Sequence, residues 1–517
     1  MSCVCDSKPP VDSLRSLVEE RAEAAGGSQF LLAARDERQL SFAELAQRVA
    51  RWRRVLRSHS IREGSRVGLV IADPIDFALT FIAVLANGSW AAPLDPTIVT
   101  TKLDQFTQRS ANLHLDAVVS DHDAPPNSGL TWLTVTNGDA TGVASDESSD
   151  ATVGTGGIIL SSSGTTGTPK VIALSETQLL HAARHIAAHN RLTVDERGFN
   201  PLPLWHINAE VVALLASLVA GASLVLDDRF HRSDFWSLID RCEATWVNAV
   251  PAIISRIAVV QEGESVPARL RFVRSASAPL SPALLTTFEE ATGVVIVESY
   301  GMTEAASQIC VNPLDGPRKA GSVGPPVGVE LRVAPLDDSR SPSDATPRGS
   351  ANVGHVEIRG PSVITHYEAS GYEDRFDVDG WLRSGDLGYL DDDGYLFLVG
   401  RSDDVINRGG EKIFPREIED VVLASSDVVA AAVIGVPDEV FGHVPVLYVQ
   451  FVAPTEPFGL EARVDELAET LSTNFPRARR PVRVIVIESF PSHATGKIQK
   501  RWLGADSVVI LAERDLG

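Results

Sequence analysis

Ser161 to Lys170 reads Ser-Ser-Ser-Gly-Thr-Thr-Gly-Thr-Pro-Lys. Six hydroxyls, two glycines and a lysine follow a short apolar run, Gly157 to Leu160. Glycine lets backbone N–H groups approach phosphate oxygens, hydroxyls donate further bonds, and Lys170 adds a point charge. The pattern is not a Walker loop, which needs Gly-Lys-Ser/Thr after a four-residue gap. Pro169 also removes a donor just before the lysine. A flexible Gly/Thr surface loop is the bland alternative.

Five further segments carry groups suited to a phosphorylated ligand. In Tyr300-Gly301-Met302-Thr303-Glu304, Glu304 suits a cation; it equally suits the start of a helix. Arg271 to Leu280 offers a shelf of small residues. Trp381 to Asp386 sets Asp386 at a turn, where a carboxylate accepts two ribose hydroxyls or simply caps the turn. Gly400-Arg401-Ser402-Asp403-Asp404 leads into Asn407 to Lys412, and Arg401 has Asp403 as a surface ion-pair alternative. Thr495-Gly496-Lys497-Ile498 lies near the end, and a lone Gly-Lys means little without its neighbours.

These loops need a scaffold. Arg66 to Ala72 reads as a buried strand and Pro74 to Asn87 as a helix with proline in its first turn. Apolar runs recur at Thr245 to Val250, Leu270 to Val273 and Val294 to Val297, each ending in small residues. Strand, small-residue loop, helix is the α/β pattern, and it places these loops on one side of the sheet. Asn137 to Gly157 and Asp337 to Ser350 read as surface loops. After about Gly400, runs at Val429 to Val436, Val444 to Val452 and Val482 to Glu488 flank one amphipathic helix near Glu461 to Asn474. The expected fold is α/β: a large N-terminal domain of mixed sheets flanked by helices, residues 1–400, and a small mobile α+β domain, residues 401–517.

The 517 residues carry 68 Asp and Glu against 46 Lys and Arg, a net charge of -22 that excludes a uniformly basic nucleic-acid surface. Cys3, Cys5, Cys242 and Cys310 form no disulfide framework and fit a reducing cytoplasm. Cys3-Val-Cys5 reads as a tail rather than a metal site. No basic stretch followed by an apolar core marks a signal peptide. The longest apolar run, Val211 to Leu226, is 16 residues, short of a membrane span, and reads as a buried helix followed by a core strand.

Taken together, the ordered segments resemble the ANL superfamily of adenylate-forming enzymes: acyl-CoA synthetases, peptide-synthetase adenylation domains and firefly luciferase. The resemblance runs from about Leu40 to Arg501. It implies ATP, Mg²⁺ and coenzyme A as cofactors. It implies a phosphate loop holding Ser162, Ser163, Gly164, Thr165, Thr166 and Lys170. Ser277-Ala278-Pro279 and Glu298-Ser299-Tyr300 resemble the adenine site, with Thr303 at the α-phosphate and Glu304, with Thr166, at the metal. Asp386 and Arg401 match the ribose contacts, and Asp403 the hinge, a match that slips by one if Asp404 takes the place. Gly409, Gly410 and Lys412 match the loop that serves thioester formation. Lys497 matches the lysine that bridges the attacking carboxylate and the α-phosphate. Lys497, Glu304 and Thr303 are thus the implied catalytic set.

Pro201 to Glu210 resembles the segment that borders the acyl site of acyl- and aryl-CoA synthetases. It lacks the Asp with which amino-acid-activating relatives hold an α-amine. The implied acyl pocket is lined by Trp205, His206, Glu210, Ser275, Gly301 and Met302, with Glu210 either lining it or capping a helix. The wording is closest to oxalyl-CoA synthetases, which carry His where Asn208 and Ser307 stand. That difference points away from oxalate, to a larger, less polar acid. Val171, His355 and His443 depart from the usual residues. The expected activity is an acid–CoA ligase working through acyl-AMP. An acyl-AMP ligase serving a carrier protein's phosphopantetheine or a partner enzyme is the alternative, and a non-catalytic nucleotide-binding protein the third. High Ala and Arg usage points to a GC-rich bacterial genome, where such enzymes serve lipid or natural-product chemistry.

Overall fold

Arg66–Val70 is a buried strand, and the helix Pro74–Ala86 follows it. Asp73 caps that helix by accepting from the N–H groups of Ile75 and Asp76, while Pro74 occupies the first turn, where a missing N–H loses no bond. Every residue from Ile75 to Ala86 is buried, as a helix apolar all round requires. The computed structural model describes residues 13–125, 129–140, 156–162, 170–336, 352–425, 427–452, 459–491, 498–504 and 508–516. Cys3, Cys5 and the expected loop at 337–350 lie outside the described residues.

Two large sheets come from this alternation. One runs Asp139–Ala140, Thr131–Thr136, Ala117–Ser120, Arg66–Val70, Trp90–Pro93, Gly157–Ser162, Lys170–Ser175, and it is parallel except at its two ends. The other runs Cys310–Val311, Val295–Tyr300, Phe272–Ser275, Trp246–Ala249, Arg197–Asn200, Ser223–Leu226, Gln29–Ala33, Gln39–Ser41. Its six inner strands are parallel, so their carboxyl ends share one rim. A third sheet of four antiparallel strands, Glu330–Pro335, Gly354–Arg359, Leu382–Leu390 and Leu396–Arg401, completes the large domain.

Alternation along the strands separates two layers. Trp246 and Phe272 stack at 5.9 Å and belong to the main core, together with the π-helical segment Asn208–Leu215. Val247, Ala249, Val273 and Ile296 face a second core under the helices Phe235–Arg241, Pro251–Ile257 and Pro282–Thr292.

The smaller C-terminal domain has its own sheet and core. Val428–Asp438 and Gly442–Phe451 form its long hairpin, and Arg483–Ile487 runs parallel to the latter. The expected helix spans Gly459–Asn474. A second helix, Pro415–Leu423, corrects the expectation of one; its buried residues Ile418 and Val422 join the same core. Asp139–Ala140 likewise pairs with Val135 and Thr136, so the loop expected from Asn137 starts as a hairpin.

Candidate active site

The groups expected on one side of a single sheet come instead from three sheets. Lys170 starts the last strand of the first, Tyr300 ends an inner strand of the second, and Asp386 and Arg401 face each other in register on the third. Tyr300 donates its hydroxyl to Asp386 Oδ2, and Arg401 Nη1 donates to Asp386 Oδ1 at 3.0 Å. The Asp386 carboxylate is therefore fixed from both sides, and the alternative pairing of Arg401 with Asp403 does not form. Gly385, with φ +86°, sits where an added Cβ would lie 2.8 Å from Arg401 Nη2. Only glycine fits there.

The chain turns back sharply after Tyr300. Thr303–Ala305 is a 3₁₀ turn, and Ile309 N–H returns to Tyr300 O at 2.8 Å. A Cβ on Gly301 would lie 1.3 Å from Ser307 O, so a side chain is impossible there. This turn buries Glu304, whose Oε1 accepts from the Tyr367 hydroxyl at 3.0 Å. Burial, and then the Glu304 carboxylate, push the Tyr367 phenol well up, so it remains a donor. Lys170 Nζ lies 5.3 Å from the Tyr367 ring centroid and 5.2 Å from that of Tyr372. Burial lowers the Lys170 pKa, and the nearby Glu304 opposes that shift. Ser277, at φ +72°, is exposed with Pro279 at the end of its strand. Ser163, Gly164, Thr165 and Thr166 lie outside the described residues, and of Ser162 only the backbone pairing with Lys170 is described.

Trp205 and His206 pack together at 6.2 Å and lead into the π-helical segment. Such segments occur often at functional sites. Asn248 Nδ2 donates to Asn200 Oδ1 at 2.9 Å and to Asn208 Oδ1 at 2.8 Å, which ties the segment to the inner sheet. Glu210 caps nothing. It is fully buried, both carboxyl oxygens lack a partner among the described residues, and burial pushes its pKa well up. Met302 packs at the edge of the main core. Ser275 registers with Ala249 and Glu298 and so faces the second core, away from the π-helical segment. Its neighbour Arg274 faces the segment instead.

Beyond Arg401 the chain makes a 3₁₀ turn, Ser402–Asp404, with Asp403 exposed. Ile406–Arg408 and Glu411–Ile413 then form a hairpin whose tip is Gly409 at φ +59° and Gly410 at φ +97°. Two consecutive positive φ angles match a type I′ turn and explain both glycines. Lys412 projects from this exposed hairpin. Lys497 lies outside the described residues; Gln499 N–H donates to Pro491 O at 2.8 Å on either side of it. Glu298, beside Leu280 N–H in the large domain, is influenced by Arg416 and Asp420 of the smaller one.

A family model described as "AMP-binding enzyme" matches residues 18–368, and one described as "AMP-binding enzyme C-terminal domain" matches residues 417–497. The chain belongs to the AMP-binding enzyme family. The oxalate–CoA ligase of Arabidopsis thaliana is 34% identical over 474 residues, covering 87% of this chain and 89% of that one. The sulfoacetate–CoA ligase of Cupriavidus necator is 32% identical, covering 95% and 97%. The o-succinylbenzoate CoA synthetase of Bacillus subtilis, solved with its acyl-adenylate intermediate, superposes with a TM-score of 0.79 at 25% identity, covering 95% and 98%. It has also been solved with ATP and magnesium ion.

Within this AMP-binding enzyme, the sequence reading missed Tyr367, Tyr372, Arg274 and Gln308. The paired tyrosines flanking Glu368 to Gly371 were the available signal for the first two. The three departures sit in sheets. Val171 fills a small core, His355 registers with Ala334 and Leu387, and His443 lies exposed opposite Pro437. Among the described residues, no helix is long and apolar enough to cross a membrane.

Proposed function

We propose that this chain is an ATP-dependent, AMP-forming acid–CoA ligase. A carboxylate oxygen bonds to the α-phosphorus of ATP as the bond to pyrophosphate breaks, giving acyl-AMP. The CoA sulfur then bonds to the acyl carbon, AMP leaves with the anhydride oxygen, and the thiol proton goes to solvent. The observation that carries this reading is the Asp386 carboxylate, held by Tyr300 and Arg401 across the site from Glu304 and Lys170.

The groups divide the work. Asp386 accepts the ribose hydroxyls, and Arg401 keeps it oriented. Tyr300 and the Ser277-Ala278-Pro279 shelf flank the adenine, beside Glu298 and Ser299. Thr303 donates to the α-phosphate. Lys170, drawn partly out of water, meets the phosphates together with the loop before it. Magnesium fits Glu304: a hard cation takes carboxylate oxygens, and this one is buried and already oriented by the Tyr367 hydroxyl. When bound, the ion offsets phosphate charge, which favours attack by an anion. Lys497 brings the second positive charge to the attacking carboxylate, so most of the rate comes from position and charge.

The thioester step uses the smaller domain. A pivot at Asp403, in the exposed turn after Arg401, carries the Gly409-Gly410 hairpin with Lys412 toward the acyl-AMP. Residues 401–517 move as that unit. Coenzyme A is the acceptor favoured over a carrier protein, since the named relatives are CoA ligases. The acids in the names of the three relatives each carry a second acidic group. The lack of a disulfide framework, together with ATP and CoA, suits the cytoplasm. The deciding experiment gives the purified protein MgATP and a panel of carboxylic acids, with and without CoA, and identifies products by mass spectrometry. Acyl-CoA, AMP and pyrophosphate in equal amounts are expected. Acyl-AMP that accumulates despite CoA would refute the second step.

A further inference from the structure

Arg274 is a guanidinium in the protein interior with no anion beside it among the described residues. It is 1% exposed on the inner strand Phe272–Ser275. Nη2 donates to Gln308 Oε1 at 2.7 Å, but Nε, Nη1 and the Gln308 Nε2 meet no acceptor among the described residues. Burial lowers its pKa only to about 9, so it stays charged at neutral pH. An unpaired buried cation is disfavoured strongly enough that such groups are almost always matched by an opposite charge. The nearest candidates within the chain do not supply one. Glu298 faces the other layer, against Leu280 N–H. Glu210, on the segment that covers this face, forms no ion pair with Arg274: both of its carboxyl oxygens lack a partner among the described residues.

The position of this cation is informative. Arg274 registers with Asn248, and Asn248 holds Asn208, the first residue of the π-helical segment that follows Trp205 and His206. The strand ends at Ser275, and the exposed Ser277 follows two residues later. Arg274 therefore lies three residues before the shelf proposed to flank the adenine, and its Nε and Nη1 lack an acceptor among the described residues.

Resting on the ligase reading above, we propose that the acid carries a second anionic group, a carboxylate or sulfonate, and that Arg274 with Gln308 receives it at the inner end of the acyl pocket. The carboxylate that is adenylated lies at the outer end. An acid with a neutral far end leaves the guanidinium unpaired and is rejected on that account. Arg274 thus sets specificity and takes no part in the bond changes.

The test compares malonate, succinate, glutarate, sulfoacetate and 2-succinylbenzoate with monoacids of equal length and with the monomethyl esters of the diacids. Pyrophosphate release and acyl-CoA are measured. The best dianionic acid should exceed its neutral-ended partner by roughly 100-fold or more in kcat/KM. Arg274→Met should remove that preference through KM for the acid, leaving KM for ATP in place, and Arg274→Lys should keep part of it. Should Arg274→Met not fold, the wild-type preference and Gln308→Ala carry the decision. A wild type that prefers neutral-ended acids, or an Arg274→Met variant that keeps the dianion preference, overturns the proposal and leaves the ligase reading standing. Failure of every acid to release pyrophosphate overturns both.

Discussion

Tyr367→Phe removes one oxygen and leaves a ring. That ring packs against Tyr372 at 5.1 Å and Phe376 at 6.0 Å, with Lys170 Nζ 5.3 Å from its centroid, and phenylalanine preserves all three contacts. What disappears is the 3.0 Å hydrogen bond to Glu304. A hydrogen bond to a charged group contributes about 1.5–3 kcal/mol, which corresponds to roughly 10- to 150-fold. Partners that orient a metal-binding carboxylate typically change metal affinity by about 10- to 100-fold. The two ranges agree. ATP–pyrophosphate exchange measured against free Mg²⁺ should show a half-saturating concentration raised by about that factor, with KM for the acid unchanged. Tyr367→Leu is the companion variant. It also removes a cation–π contact of about 0.5–2 kcal/mol from Lys170, so KM for ATP should rise as well. A Tyr367→Phe enzyme with the wild-type Mg²⁺ midpoint would refute the placement of the metal at Glu304.

Four other outcomes are expected. Burial raises the Glu298 carboxyl to about 7, with Arg416 opposing and Asp420 reinforcing the shift. Its folded pKa is above its unfolded one, so its contribution is full below about pH 4.5 and is lost as pH rises to about 7, on the order of 3 kcal/mol in all. Glu298→Gln should accordingly raise Tm at pH 8 relative to wild type and leave it unchanged at pH 4.5; equal shifts at both would contradict the assignment. Asp386→Asn should cut discrimination between ATP and 2′-deoxy-ATP by roughly tenfold or more, read from the two kcat/KM values. Lys497→Ala should abolish adenylation while the variant still makes acyl-CoA from supplied acyl-AMP, and Asp403→Pro should do the reverse; loss of both steps in either variant would count against its role.

Local signals were legible where one residue type settles one local problem. Pro74 announces the helix that follows, in whose first turn the proline sits. The order of motifs was enough for the family. What escaped was what depends on side-chain direction and distant partners. Arg271 to Ser275 does not say which residue of a four-residue strand faces which layer, so Ser275 was placed in the pocket and Arg274 overlooked. The Tyr367 hydroxyl meets a carboxylate 63 residues away in sequence. Val211 to Leu226 is apolar on all sides, so its periodicity carries no trace of the π-helical register. Pro415–Leu423 spans only nine residues, short for a periodic signal.

The groups proposed to hold the nucleotide stand on three separate sheets, and this has a consequence for how the molecule comes apart. Lys170, Tyr300 and Asp386 each belong to a different hydrogen-bonded unit. A ligand that touches all three adds a further link between sheets that already share one core. At 100 times its Kd such a ligand adds about 2.7 kcal/mol to the native state. That increment falls on every local opening that breaks the site, wherever in the large domain it begins. The sheet that carries Asp386 and Arg401 shares in that protection from proteolysis and hydrogen exchange.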